Sequence, residues 1–124
     1  VTGMAREGLL ELLDKKCMII EAVSRKINEQ NRLILSNQFS DMAGIDAAKE
    51  ELIKELLMTD NRISALKTID RETSEKAKDK IQNINSSLNY LIKLEKENET
   101  LLERANTSFS GEYIKAYKTY KLPK

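Results

Sequence analysis

The sequence predicts an all-α protein: an elongated antiparallel bundle of three long helices, followed by a short C-terminal tail that can itself be helical. Three observations predict it. The 124 residues include only one Pro, next to the end, and four Gly, so almost nothing interrupts a helix. Aromatic residues make up 5% of the chain and charged residues 33%, which suits a thin bundle filled by Leu and Ile better than a thick globular core. Apolar residues recur at alternating spacings of three and four along three long stretches, a rhythm that a strand, with its period of two, cannot produce. A chain of this length is one domain, residues 1–124.

The first helix is expected over about 5–36. Its stripe is Leu10, Leu13, Cys17, Ile20, Ile27 and Ile34, with Ser24 and Asn31 in the same register. Leu9, Ile19, Val23 and Leu35 widen the stripe, as a helix touching two neighbours requires. The run Ser36-Asn37-Gln38-Phe39-Ser40 breaks the pattern. Ser40 is then placed to cap a second helix over about 41–69, with Asp41 in its first turn, where the helix dipole favours a negative charge. The stripe of this helix is Ile45, Leu52, Leu56, Ile63 and Leu66, with Lys49 and Thr59 as polar members and Ile53 and Leu57 alongside.

The third helix, over about 73–110, carries the clearest signal. Ala77, Ile81, Ile84, Leu88, Leu91, Glu95, Asn98, Leu102, Ala105 and Phe109 keep heptad spacing until Ser110-Gly111 stops it. Residues 67–80 are polar and contain no Gly or Pro. They read either as a turn capped by Asp70 or Thr73, or as a solvated continuation that joins the two helices through a stutter. The turn is preferred, because a continuous helix of some 70 residues would need a partner chain to cover it. With the turn, the three stripes pack together at shallow angles.

Composition argues against chemistry. The chain has no His, the commonest general base and metal ligand, and its glycines, at 3, 8, 44 and 111, form no phosphate loop. Cys17 lies on the apolar stripe and reads as core, and a lone cysteine makes no internal disulfide. No enzymatic activity, cofactor or metal is expected, and the acidic and basic residues read mostly as solvated helix surface. The net charge of +1 gives no global field for nucleic acid or anionic membrane. No apolar run approaches the roughly 20 residues that span a bilayer, and no signal peptide is visible, so a cytoplasmic location is expected.

Two features invite a binding reading. Asn31, Lys49, Glu95 and Asn98 occupy stripe positions where apolar side chains are usual. They either fix register or rim a groove left open for a partner helix. The tail, residues 111–124, holds Tyr113, Tyr117 and Tyr120 on one face of a potential helix. Residues 112–124 contain four Lys and one Glu, a local charge of +3. Three exposed tyrosines would anchor a partner, or the segment would fold back on the bundle as a short fourth helix. Aromatics among lysines also suit nucleic acid, but no companion basic patch supports that.

The stretch Ala47-Ala48-Lys49-Glu50-Glu51-Leu52, the segment from Leu94 to Ala105 with Asn98, Leu101 and Leu102, the Leu9-to-Lys16 start and the Ala116–Tyr120 ending resemble bacterial flagellar export chaperones of the FlgN and FliT type. The resemblance covers most of the chain and rests on pattern and composition. It implies a cytoplasmic chaperone of the flagellum that binds the C-terminal helices of hook-associated or filament-cap subunits before type III secretion. It also implies client capture by the C-terminal part, here Leu102, Phe109, Tyr113, Tyr117 and Tyr120. The rival reading is a structural coiled-coil spacer or scaffold that self-associates as a homodimer.

Overall fold

A computed structural model describes residues 8–66 and 69–104. Three helices carry the architecture: α1 (Leu9–Leu35), α2 (Met42–Ser64) and α3 (Arg71–Arg104), with a short 3₁₀ turn over Phe39–Asp41 between the first two. The expected helical bundle is what forms. α3 is 34 residues long, or about 50 Å at 1.5 Å per residue. Asp14 pairs with Lys80, and Asn31 with Asn98, so α1 and α3 run in the same direction with α2 antiparallel to both.

Each helix end has a local cause. Gly8 is extended at the start of α1, and its carbonyl accepts the first helical bond from the Leu12 N–H at 3.1 Å. At the other end Asn37 takes a left-handed conformation, φ 57°. This lets the Gln38 N–H reach the Leu33 carbonyl at 2.8 Å and the Asn37 N–H reach Ile34 at 3.1 Å. These bonds close the helix as a Schellman motif, with Asn in the place usually taken by Gly. The expected Ser40 cap does not form: Ser40 and Asp41 lie in the 3₁₀ turn, and α2 begins with no side-chain cap.

α2 ends at Ser64, five residues before the expected boundary, and the helices on either side of the polar stretch are separate. The preferred turn is therefore the one adopted. Asp70 caps α3, its carboxylate accepting the Thr73 N–H at 2.7 Å. The expected stop at Ser110-Gly111, along with Ala105 and Phe109, lies outside the described residues.

The main core joins all three helices. Leu13, Ile20, Val23 and Ile27 from α1 meet Ile53 and Leu56 from α2 and Ile81, Ile84, Leu88 and Leu91 from α3. A smaller cluster of Ile34, Met42 and Leu102 closes the bundle where α1 ends and α2 begins. The heptad row of α3 from Ala77 to Leu102 is buried as its spacing requires. On α1 the expected stripe residues Leu13, Ile20, Ile27 and Ile34 are buried, as are Leu9, Ile19 and Val23 beside them, and burial extends further on that side to Leu12, Lys16 and Gln30. Leu10, Cys17, Ser24 and Asn31 consequently sit at the opposite edge of the stripe, half-buried, and Leu35 is exposed. Leu57, expected beside the stripe of α2, is also exposed.

Candidate partner-binding site

α1 is the central helix and packs closely on both others, whereas no Cα of α2 comes within 8 Å of a Cα of α3 among the described residues. The gap between the outer helices is wide enough for long side chains. Lys49 from α2 and Glu95 from α3 meet in it, Nζ to Oε1 at 2.5 Å, and both are fully buried. Lys49 also donates to Gln30 Oε1 of α1 at 3.1 Å, and Gln30 Nε2 donates to Asp46 at 3.2 Å. Burial raises the Asp46 carboxyl above its ordinary value, against the lowering pull of the Lys49 charge. One heptad layer further on, Asn31 Nδ2 donates to Asn98 Oδ1 at 2.9 Å, and Asn98 Nδ2 donates to the Ile27 carbonyl at 3.2 Å.

The four polar stripe residues singled out from the sequence are thus brought together as two pairs in adjacent layers. They bond to one another or to the backbone rather than rimming an open groove. Their directional bonds fix the register of the three helices, as an Asn at a core position does in coiled coils. A second buried pair, Lys16 Nζ to Asp60 Oδ1 at 2.7 Å, joins α1 to α2 near the opposite end. Sequence reasoning missed it by assigning such charges to the outer faces, although position 16 falls on the apolar row of α1 at a spacing of three from Leu13 and from Ile19.

Cys17 is half-buried against the main core. Burial, with the neighbouring charges of Asp14 and Glu21, pushes its thiol up, so at neutral pH the nucleophilic thiolate is disfavoured. Among the described residues no cluster of three or more His, Cys, Asp or Glu converges to hold a metal ion. No helix among them is long and apolar enough to cross a membrane.

The surface most suited to a partner lies on the last four turns of α3. A groove there is lined by Asn89, Ile92, Lys93, Lys96, Glu97, Thr100, Leu101 and Arg104. Ile92 and Leu101 are half-buried and stand nine residues apart, on opposite flanks of α3, and Lys93, Lys96, Thr100 and Arg104 lie on the face between them, so the lining is mostly basic with apolar edges. Its end coincides with the end of α3, where the chain continues toward the tyrosine segment. Of the expected contact residues, Leu102 is fully buried against Ile34 and Met42, so it is a core residue here and not a surface anchor. Phe109, Tyr113, Tyr117 and Tyr120 lie outside the described residues. Leu101, one position earlier, is the side chain that reaches the groove. Comparison of the chain with protein-family models, curated proteins and solved structures returns no significant match.

Proposed function

We propose that this chain is a flagellar type III export chaperone that holds the C-terminal amphipathic helices of hook-associated or filament-cap subunits in the cytoplasm before secretion. The observation that carries this reading is the groove on α3. Basic side chains, Lys93, Lys96 and Arg104, bordered by the apolar Ile92 and Leu101 suit an amphipathic helix that carries acidic residues beside its apolar ones. In the sequence, the residues lining the groove are followed by the segment that the family resemblance assigns to client capture. The rigid three-helix body supplies the platform, and the groove with the tail supplies the contact.

The rival spacer reading needs the heptad row of α3 to face a second chain. That row is already buried inside one chain, from Ala77 to Leu102, which counts against a parallel coiled coil through α3.

The test is calorimetric titration of the full chain with the C-terminal segment of a hook-associated or filament-cap subunit. The same titration is run on a chain truncated after Ser110 and on the groove variant Ile92→Asp. Saturable binding that either change weakens at least about tenfold, or 1.4 kcal/mol, supports the reading. No binding by any such subunit, or binding indifferent to both changes, refutes it.

A further inference from the structure

The exposed positions of α1 form a single row. From Glu11 to Leu35, each follows the last by three or four residues in strict alternation. The row is polarised: its acidic members, Glu11, Asp14 and Glu21, all precede residue 23, and its basic members, Arg25 and Arg32, both follow it. The helix dipole favours such charges in the first and last turns, but it falls off before the middle of the helix, where Glu21 and Arg25 stand. Neither Glu21 nor Arg25 forms an ion pair with a described residue. The row also carries Met18, which is 69% exposed.

We propose that α1 pairs antiparallel with α1 of a second copy of this chain, across a two-fold axis beside residue 23. An isologous contact of this kind requires a patch complementary to itself, and this row is. Turned end for end, it sets Glu21 against Arg25 and Arg25 against Glu21, Asp14 against Arg32, and Met18 against Asn28. A parallel pairing would set like charges against each other along the whole row. Asp14 keeps its bond to Lys80 at 2.5 Å, so the central Glu21–Arg25 pairs decide the orientation.

The surface beside the axis is shaped for close approach. The Asp14–Lys80 and Asn31–Asn98 bonds set the register of α1 and α3, and that register places Tyr90 level with residue 23. At this height a shallow groove between α1 and α3 is lined by Ser24, Ser86, Ser87 and Tyr90. The serines are small enough to admit a neighbouring helix, and Tyr90, 54% exposed, stands where it meets its own symmetry mate. With so little apolar surface, the dimer is weak and salt-sensitive. The proposal does not depend on the chaperone reading.

Sedimentation equilibrium of the full chain at low and high salt tests it, with Glu21→Arg, Arg25→Glu and the double exchange as variants. All the substituted side chains are exposed, and circular dichroism confirms that each variant is folded. The wild type is expected to dimerise, less so at high salt. Each single exchange creates two symmetry-related like-charge contacts and is expected to raise Kd at least about tenfold. The double exchange restores the pairs and returns Kd toward the wild-type value. A chain that remains monomeric up to about 1 mM, a dimer indifferent to the single exchanges, or a double variant no tighter than the singles would overturn the proposal.

Discussion

Replacing Lys49 by Met leaves the Glu95 carboxylate in a core position without the ammonium that now sits 2.5 Å away, where both side chains are fully buried. Removing one member of such a pair typically costs about 3–5 kcal/mol, because the remaining charge is still desolvated. Loss of the Lys49 bond to Gln30 adds about 1 kcal/mol. Against the roughly 5–15 kcal/mol that holds a domain of this size together, the single change removes a large fraction of stability. Replacing both residues by Met removes the buried charges together and fills the gap with unbranched apolar chains of similar length. That exchange is expected to be near neutral, or stabilising by up to about 4 kcal/mol. The assay is urea unfolding followed by far-ultraviolet circular dichroism for the wild type, Lys49→Met, Glu95→Met and the double variant, read as a double-mutant cycle. A single variant costing under about 1 kcal/mol, or a double variant costing as much as the two singles added, would refute the claim that the pair is dry and mutually dependent.

Other outcomes follow from particular side chains. Asn37→Ala forces an ordinary residue into the left-handed position that closes α1 and should cost about 1 kcal/mol, while Asn37→Gly should be neutral or slightly stabilising in the same unfolding assay. Leu88→Ala empties a fully buried site and should cost about 2–5 kcal/mol. Leu57→Ala, at a side chain 39% exposed, should cost well under half as much as the Leu88 change. Asp70 accepts hydrogen bonds from Thr73 that hold its carboxyl below the ordinary 3.8. Its stabilising effect is therefore present above pH 3.8 and is lost as pH falls through the lowered value. Asp70→Ala should lower Tm at neutral pH, and the difference from wild type should close on acidification; a gap that persists in strong acid would show that Asp70 does not act through its charge.

The sequence by itself determined that the chain is helical and which residues of α3 face the core; it favoured a break near residue 70 over a continuous helix, and the tertiary structure decided between them. Heptad spacing is a property of one chain segment, so Ala77 through Leu102 could be read without a partner in view. The polar members of the stripes, Asn31, Lys49, Glu95 and Asn98, were also legible as anomalies of pattern. Tertiary structure alone decided what they do, because their bonds join residues from 19 to 71 positions apart, and helix register is set by packing of whole helices. The same holds for Lys16 and Asp60, 44 residues apart, each an ordinary charged residue until the other is brought beside it. The extension of burial on α1 to Leu12, Lys16 and Gln30 was missed for a related reason. Spacing fixes the period of an apolar stripe, but its angular centre depends on where two neighbouring helices lie, and α1 lies between α2 and α3. The same placement, with both flanks of α1 covered, leaves the narrow exposed row that runs from Glu11 to Leu35.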